Sequence, residues 1–450
     1  NVANTTTDSL ELNTSSSGDG GPIEVDVDPS DLSGDGSEST PYEISNVSEL
    51  QAMEDDLGAN YTLVSDMNAP DTAQFNNGSG FDPVGGSGLG KNTPPPFTGT
   101  FDGNNNTITG LTINRPNENS VGLFGVTGSD ATLTNVALAN VTVTGGEGQV
   151  GGLVGENRDR GTITNATASG SVTGESEVGG LVGENRDRGT ITNATASVSV
   201  TGRANVGGLV GLNVDQGKVQ STAVSGSVTA SEGDAGGLIG DNSGIIRNAT
   251  ASGSVTTAGE FGEVGGLVGG NLGTITNTRA SGSVSGIERV GGLVGLNAGS
   301  GTVNNSIATG SVSGTTSVGG LVGDDFGTVE QSYFDTEATD QGSSDGGIGL
   351  TTAEMQGQAA AANMNGFDFD TTWTTTSEYP ALRALSGADE GSGSGSGRDG
   401  GPIEVDVSPS DLPGDGSSSN PYEISNVSEL QAMEDDLDAN YELVSDIDAS

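Results

Sequence analysis

The aliphatic residues of the chain recur in a hexapeptide that repeats through its central part. VGGLVG begins at Val150, Val178, Val206, Val264, Val290 and Val318, AGGLIG begins at Ala235, and the shorter VGLFG begins at Val121. Successive copies lie 26 to 29 residues apart. This spacing is typical of a repeat protein in which each unit buries its apolar face only by stacking on its neighbours.

Each unit contains two further phrases with alternating aliphatic residues. In the unit that begins at Val178 they are TITNAT and SVSVTG, and runs of Gly, Asn, Asp and Ser separate the phrases. Alternation is typical of strands, and the small polar runs are typical of turns. The sequence therefore predicts an all-β fold: a right-handed parallel β-helix, a three-sided solenoid with three strands in each coil of about 28 residues, closed by small helical or loop caps. Eight coils would span roughly 40 Å.

Two polar columns recur in register with the hexapeptide. The first consists of Asn157, Asn185, Asn213, Asn242, Asn271 and Asn297, with Asp325 in the last unit. The second consists of Asn135, Asn165, Asn193, Asn248, Asn277 and Asn305, with Ser221 and Gln331 as substitutes. Stacked amides can hydrogen-bond from coil to coil. We therefore predict that both columns are internal ladders at turns, in preference to binding sites.

The segments that flank the coils predict caps. Apolar residues at helical spacing indicate a helix from about Ser48, where Ser48 and Gln51 resemble a capping box. We expect this helix to cover the open end of the solenoid, whose strand groups would otherwise be unpaired. A separate helical module is the alternative. After the coils, a short predicted helix near residues 352–358 and the single tryptophan, Trp373, indicate a C-terminal cap.

The chain also repeats itself on a larger scale. Residues 21–69 and 401–449 align without gaps and differ at only eight of 49 positions. The predicted divisions are 1–20 (linker or end of a preceding unit), 21–120 (N-terminal cap and first coils), 121–346 (repeat solenoid), 347–386 (C-terminal cap), 387–400 (Gly/Ser linker) and 401–450 (start of a second copy). This pattern favours a tandem array of domains over a docking role for the partial copy.

Charge narrows the classes of partner. The chain has 61 acidic and 13 basic residues and a net charge of −48, and it contains no cysteine. Nucleic acids and anionic membranes are disfavoured because both bind basic surfaces. The sequence shows no apolar stretch long enough to span a membrane. An acidic, lysine-poor composition resembles proteins of extreme halophiles, in which salt screens the self-repulsion.

Clustered aspartates before the coils and in the second copy suggest Ca²⁺ as a ligand. The candidate ligands are Asp26, Asp28, Asp31, Asp35, Asp406, Asp411 and Asp415. Oxygen-rich loops suit calcium, although the spacing does not match an EF-hand. A solvated acidic surface is the alternative explanation.

Sequons mark candidate sites of N-glycosylation. Those outside the repeat are Asn4, Asn13, Asn46, Asn60 and Asn77. Asn165, Asn193 and Asn248 also begin sequons, but an internal ladder would leave these three unmodified.

The order of the phrases resembles a known motif. VGGLVG followed by N-x-G-x-I and S-G-x-V-x-G is similar to the GLUG motif, and the flanking FDGNNNTITGLTI, GIGLTTAEMQG and YPALRAL also resemble members of that family. GLUG proteins occur among bacterial adhesins, IgA-peptidase-like surface proteins and large archaeal secreted proteins. The resemblance implies a surface-exposed β-helix and supplies no catalytic motif.

Three stacked aspartates are the strongest candidate for catalysis. Asp159, Asp187 and Asp215 occupy equivalent turns of successive coils, about 5 Å apart, near the carboxylate separation of retaining glycosidases. The flanking cations are Arg158, Arg160, Arg186 and Arg188. Guanidinium groups hold carboxylates ionised, which makes a poor general acid, and the chain has no histidine to act as a base. A ladder of surface salt bridges is therefore preferred, and we expect no enzymatic activity.

These patterns together predict an extracellular or cell-surface protein with a structural or adhesive function. Tandem solenoid domains would form or decorate a filament or sheath through contacts with their own copies, end to end or laterally, or with cell-surface glycans. The alternative is a β-helix that binds or cleaves polysaccharide through the Asp159/Asp187/Asp215 face.

Overall fold

The computed structural model describes residues 27–87, 94–260 and 262–385 and the backbone of two strands, Tyr422–Ile424 and Tyr441–Leu443. The chain forms a parallel β-solenoid, as the repeat predicts. Three parallel sheets run along the described part of the solenoid, and we number them sheets 1, 2 and 3 in the order in which each coil enters them. Sheet 2 has eight strands, which mark eight coils.

Sheets 1 and 2 are built from the hexapeptides. The strands of sheet 1 are Val150–Gly151, Ser176–Gly179, Ala204–Gly207, Ala235–Gly236, Val264–Gly265, Glu288–Gly291 and Thr316–Gly319. The strands of sheet 2 are Phe124–Thr127, Val154–Asn157, Val182–Asn185, Val210–Asn213, Ile239–Asn242, Val268–Asn271, Val294–Asn297 and Val322–Asp325.

Sheet 3 contains the other two phrases of each unit and the strands of both ends. Its N-terminal strands are Tyr42–Ile44, Asn60–Leu63, Met67–Asn68, Thr100–Asp102, Thr107–Thr109 and Thr112–Asn114. Its central strands are Thr132–Thr134, Ala137–Thr144, Thr162–Thr164, Thr167–Thr173, Thr190–Thr192, Thr195–Gly202, Lys218–Val224, Val228–Ala230, Ile245–Ala251 and Val255–Thr257. Its C-terminal strands are Thr274–Ala280, Val284–Ser285, Thr302–Asn304, Ile307–Ala308, Val312–Ser313, Thr328–Glu330, Tyr333–Asp335 and Ile348–Leu350.

The hexapeptide forms two strands, so the expectation of one strand for each phrase is wrong here. Ser176–Gly179 belongs to sheet 1 and Val182–Asn185 belongs to sheet 2, with a bend at the two residues between them. The pattern of aliphatic residues does not reveal this bend because Val178 and Val182 are both buried in the core.

Glycine makes the bend possible because sheets 1 and 2 approach each other closely on their outer sides. A Cβ atom on Gly183 would lie 2.5 Å from the backbone nitrogen of Val150 in the preceding coil. Real Cβ atoms do not come so close, and the carbonyl oxygen of Val182 restricts Gly179 in the same way. The outer faces of the two sheets therefore meet in a re-entrant corner along the solenoid, which we call the notch.

Each coil points its aliphatic side chains into one continuous core. In the coil that begins at Val178 the fully buried side chains include those of Leu181, Val182, Ile191 and Val200. The same cluster runs without interruption from Leu32 to Phe334. Each unit contributes only a few aliphatic side chains, so the core depends on the stacking of coils.

The N-terminal end is closed by helix α1 (Val47–Gln51) and the 3₁₀ turn Ala52–Asp55. Leu50 and Met53 from these elements are fully buried in the solenoid core. This packing agrees with the expected cover and not with a separate helical module. A loop closes sheet 2 on the same side, where the N–H of Val84 donates to the carbonyl of Leu123 at 2.9 Å.

The predicted capping box at Ser48 and Gln51 is wrong. Helix α1 begins after Asn46, whose side chain accepts a hydrogen bond from the N–H of Glu49 at 3.1 Å. The Glu49 carboxylate accepts one in return from the N–H of Ser45 at 2.7 Å. Asparagine is as good an N-cap as serine, which is why the motif alone did not fix the position.

The C-terminal edges of sheets 1 and 2 are closed by a loop. Ser344 Oγ accepts hydrogen bonds from the N–H groups of Leu321 and Val322 at 3.1 and 2.9 Å. The Asp345 carboxylate accepts one from the N–H of Asp325 at 2.7 Å. Side chains of the loop thus satisfy strand groups that an added strand would otherwise pair.

The residues after the loop pack against the side of sheet 3. Trp373, Met355 and Leu382 form a second, smaller core with Ile307 and Tyr333 of that sheet. The elements of this region are α2 (Thr352–Met355), α3 (Gly357–Asn363), the antiparallel strands Trp373–Thr374 and Ala381–Leu382, and the 3₁₀ turn Arg383–Leu385. The predicted single helix near 352–358 is therefore two short helices.

The remaining helical segments of the described residues are the 3₁₀ turns in Pro29–Asp31 and Pro70–Gly78. None of the described helices has the length and apolar character needed to cross a membrane.

Candidate functional site

The notch brings the two residues that flank each hexapeptide face to face. One wall carries the residue before each hexapeptide: Ser120, Gln149, Glu177, Asn205, Asp234, Glu263, Arg289 and Ser317. The other wall carries the residue after it: Val126, Glu156, Glu184, Leu212, Asp241, Gly270, Leu296 and Asp324. A hydrogen bond across the notch, from Gln149 Nε2 to Glu184 Oε2 at 3.2 Å, shows how close the walls are.

In its N-terminal half, the notch holds three glutamates beside two arginines. Gln149 Nε2 also donates to Glu177 Oε2 at 2.5 Å. Arg158 lies 3.3 Å from Glu156, and Arg186 lies 3.8 Å from the same carboxylate. Glu156 is only 6% exposed. Glu156 and Glu184, which is equally exposed, are therefore almost removed from water and are partly neutralised by guanidinium groups.

Burial changes the proton affinity of this half. Removal from water and, next, the nearby charge of Glu177 raise the pKa of Glu184 to about 7, while Arg186 opposes the shift. Burial also raises the pKa of Glu177, against the hydrogen bond from Gln149. Two carboxyl groups in this half thus bind protons more tightly than they would in water.

The C-terminal half of the notch holds more carboxylates and fewer arginines than the N-terminal half. Burial raises the pKa of Asp234, and the adjacent Glu263 carboxyl, which shares a hydrogen bond with it, raises it further. Burial and the charge of Glu263 raise the pKa of Asp241 to about 6. Among the described residues, one arginine pairs with carboxylates of this half: Arg289 lies 2.7 Å from Glu263 and 3.3 Å from Asp324.

Gly270 keeps the space between the aspartates open. A Cβ atom there would lie 3.5 Å from Asp234 Oδ2 and 3.6 Å from Asp241 Oδ1. The same Asp241 oxygen is buried and has no hydrogen-bond partner among the described residues. The carboxyl groups of Asp234 and Asp241 therefore bind protons more tightly than they would in water.

Sequence reasoning missed the notch, although a signal was present. The hexapeptide by itself predicts a single strand, in which its two flanking positions would lie far apart. Acidic or amide residues occupy at least one of the two flanking positions in six of the seven complete units, and the exception has Arg289 with Leu296. A comparison of these positions, together with the recurrent glycines of the hexapeptide, would have found the site.

The first asparagine column is a buried ladder. Each amide Nδ2 donates to the Oδ1 of the next coil at 2.7 to 2.8 Å, from Asn157 through to Asp325. The members are Asn157, Asn185, Asn213, Asn242, Asn271 and Asn297, each at most 1% exposed. Thr127 Oγ1 starts the ladder with a 2.8 Å bond to Asn157 Oδ1.

The prediction that the second column is internal is wrong. Asn165 and Asn193 are exposed and the other members, apart from substitutes, are half-buried: Asn135, Asn248, Asn277 and Asn305. All six have a φ of 50° to 54°. This left-handed backbone interrupts the alternation, so that Thr164 and Asn165 both face outward before Ala166 turns inward. The amides still stack, and Asn165 Nδ2 donates to Asn135 Oδ1 at 3.0 Å.

The exposure of the second column removes the reason to expect unmodified Asn165 and Asn193. Among the sequons proposed from the sequence, Asn46 caps α1, and Asn60 Nδ2 donates to the carbonyl of Gly36 at 3.0 Å. Asn77 is exposed. Asn4 and Asn13 lie outside the described residues.

The three stacked aspartates lie at an exposed corner between sheets 2 and 3. Asp159 and Asp187 accept ion pairs from the preceding arginines, with Arg158 at 3.4 Å and Arg186 at 2.9 Å. An open depression of about 600 Å³ runs along the corner. Its lining includes Asp159, Asp187 and Asp215 with Arg160 and Arg188. Arg160 turns to Asp130 at 2.7 Å, and this contact lowers the pKa of Asp130.

The calcium candidates are separated in the described residues. Asp28 accepts a hydrogen bond from the N–H of Ser30, and Asp35 accepts one from Thr40 Oγ1 at 2.8 Å, so each side chain caps its own turn. Asp31 is exposed. Asp26, Asp406, Asp411 and Asp415 lie outside the described part of the chain. Within that part, no three Asp or Glu side chains are grouped so that they could hold a metal ion.

A known family model matches two successive units of the repeat. The GLUG motif family model matches residues 146–173 and 174–201. A solved structure, described as a "putative immunoglobulin A1 protease" from Bacteroides ovatus, aligns with a TM-score of 0.48 and 20% identity over 78% of this chain and 94% of that chain.

Two curated proteins are similar in sequence over part of their length. Halomucin from Haloquadratum walsbyi is 39% identical over 144 residues, which are 31% of this chain and 2% of halomucin. A "Putative Gly-rich membrane protein" from Evansella cellulosilytica is 35% identical over 139 residues, which are 30% of this chain and 15% of that protein. The chain thus spans a small part of both relatives, and it carries at least two GLUG motifs.

Proposed function

We propose that the chain is an extracellular structural or adhesive protein whose tandem β-solenoid domains form or decorate a filament or sheath at the cell surface. The observation that carries the proposal is the continuous stack of eight coils, with one core and one uninterrupted amide ladder. Such a stack resists bending because every coil is bonded to the next through backbone and side chain. Stiffness and length, rather than a reactive centre, are then the useful properties.

The second copy supports an array of domains. Tyr422–Ile424 and Tyr441–Leu443 pair in parallel, in the register that Tyr42–Ile44 forms with Asn60–Leu63. The partial copy therefore begins the same strand pairing as the first domain. The partners of the protein would be copies of its own domains, within one chain or between chains, and cell-surface glycans.

The similarity to halomucin and to a Gly-rich membrane protein supports a location at or outside the cell surface. The net charge of −48 supports a halophilic source, because strong salt shortens the range of self-repulsion to roughly 3 Å at 1 M.

Electron microscopy of the native material in high salt tests the proposal. We expect regular filaments whose axial repeat matches one domain. A calcium chelator tests the aspartate-rich segments separately, because loosening between domains would place calcium there. Dispersed single particles under every condition would contradict the filament.

A carbohydrate-active β-helix is the second candidate, and the depression along Asp159, Asp187 and Asp215 favours it. The ion pairs to Arg158 and Arg186 oppose acid catalysis but not binding. Cleavage of uronate or neutral glycans that is lost in Asp187→Asn would establish an enzyme. If the glycans are not cleaved, the enzyme candidate is rejected and the structural function is favoured.

A further inference from the structure

The sequons of the described residues differ in what the structure does with them. They are Asn46, Asn60, Asn77, Asn105, Asn140, Asn165, Asn193, Asn248 and Asn304. Transfer of a glycan needs an accessible side-chain amide and an accessible hydroxyl two residues later. Only two of these sequons expose both residues: Asn140 with Thr142, and Asn165 with Thr167.

The amide separates these two sequons. Asn165 Nδ2 donates to Asn135 Oδ1 at 3.0 Å, and its Oδ1 accepts from Asn193 Nδ2 at 3.3 Å. The side-chain amide of Asn140 makes no hydrogen bond to any residue that the structure describes. The side-chain amide of Asn140 is therefore available for modification, whereas the side-chain amide of Asn165 is held by hydrogen bonds to its neighbours.

A β-bulge presents Asn140 to solvent. The strand Ala137–Thr144 pairs with Thr167–Thr173, and the register shifts between Ala168 and Gly170, which leaves one extra residue at Asn140. Asn140 has a φ of 53°, and its backbone N–H turns to Ser169 Oγ at 3.2 Å. Bulges commonly redirect a side chain in this way. A side chain on Gly170 would collide with the backbone of Val141, so the next coil accommodates the bulge.

We propose that Asn140 carries an N-linked glycan. The amide nitrogen of Asn140 bonds to the anomeric carbon of a lipid-linked oligosaccharide phosphate. The bond from that carbon to the phosphate oxygen breaks, the lipid phosphate leaves, and the amide loses one proton to a base of the transferase. The glycan projects from the outer face of sheet 3, whose strands from Thr132 to Ser313 contain no Asp or Glu.

Glycopeptide mass spectrometry of the protein purified from its native cells tests the proposal. We expect sugar on the peptide that contains Asn140 and an unmodified peptide at Asn165. Asn140→Gln and Thr142→Ala should remove the sugar, and Thr142→Ser should retain it. An unmodified Asn140, or equal occupancy at Asn165, would overturn the proposal.

A double variant isolates the part played by the free amide. Asn135→Ala combined with Asn193→Ala removes both ladder partners of Asn165 and leaves its sequon intact. Occupancy at Asn165 should then rise several-fold towards that of Asn140. If Asn165 stays unmodified in a folded variant, the free amide is not what selects Asn140.

Discussion

Two neighbouring columns of sheet 2 show how the same stacking can satisfy or frustrate polar groups. Asn185 lies in the buried ladder and Glu184, one residue before it, lies in the notch. An amide both donates and accepts, so a ladder of amides satisfies itself over any number of coils. A carboxylate only accepts, so stacked carboxylates need protons, arginines or cations between them.

The last member of the ladder shows the same rule. Asp325 accepts from Asn297 Nδ2 at 2.7 Å and from the N–H of Gly327 at 3.0 Å. It is the only carboxylate of the column and stands at the one position where no further coil needs a donor. The two columns therefore respond oppositely to exchange between amide and acid.

The largest effect is expected from Asn213→Asp. Asn213 donates to Asn242 Oδ1 at 2.8 Å and to the carbonyl of Gly217 at 3.2 Å. The substitution would set a carboxylate oxygen against these two acceptors in a fully buried site. We expect the free energy of unfolding to fall by about 3 kcal/mol. Thermal unfolding in high salt measures this loss, and Asn193→Asp on the outer face is the control. Equal losses in both variants would contradict the comparison.

The notch should make stability fall as pH rises. The folded pKa values lie above the unfolded ones, from 4.5 to about 7 for Glu184 and from 3.8 to about 6 for Asp241. The folded chain thus holds these protons more tightly than the unfolded chain. Their contribution is fully present below about pH 4 and is lost as the pH approaches 7, on the order of 1–3 kcal/mol. Urea unfolding across pH 4 to 8 at constant high salt measures the slope. Stability that is flat over this range would refute the prediction.

Glu184→Gln should change the free energy of unfolding by a smaller amount and in the opposite direction to Asn213→Asp. The amide keeps the shape of the side chain and removes a buried charge next to Glu177 and Glu156. We expect stabilisation by about 1 kcal/mol at pH 8 and little change at pH 4. Glu232→Gln, at an exposed position, serves as the control in the same unfolding experiment. Destabilisation at pH 8 would show that Arg186 needs the charge of Glu184.

The smallest effect is expected from the loss of the outer ladder hydrogen bond in Asn193→Ala. Its hydrogen bond to Asn165 Oδ1 is 3.3 Å long and exposed, so water replaces it. The loss of the hydrogen bond should cost less than about 0.5 kcal/mol, and alanine at a φ of 52° adds a separate backbone cost of about 1 kcal/mol. Asn193→Gly separates the two terms because glycine tolerates this backbone. A loss as large as that of Asn213→Asp would mean that the outer ladder is structural.

Much of the fold follows from the sequence, because period and alternation determine which residues face inward. The coil length, the continuous core, the closed N-terminal end and the stacking of Asn157 to Asn297 were all accessible in this way. The bend within the hexapeptide was not, since Val178 and Val182 are apolar on both sides of it. The outer position of Asn165 depends on its left-handed backbone. A column of asparagines in the sequence does not predict that conformation.

The candidate site was harder to predict than the fold. The notch exists because glycines let two sheets touch, and its residues are then adjacent in space although seven positions apart, as Glu177 and Glu184 are. Asn140 is exposed at a bulge that exists only because its strand is one residue longer than the paired strand of the next coil. The sequence of a single unit does not show this difference.

The loop that covers the last coil affects how long an assembly can become. Ser344 and Asp345 occupy the hydrogen-bonding groups that an incoming coil would need. At this edge, therefore, a strand from solution cannot extend the last hexapeptide by backbone pairing. Further length would then have to come from whole domains, and domains joined within one chain would stay together on dilution, whereas contacts between separate chains would weaken.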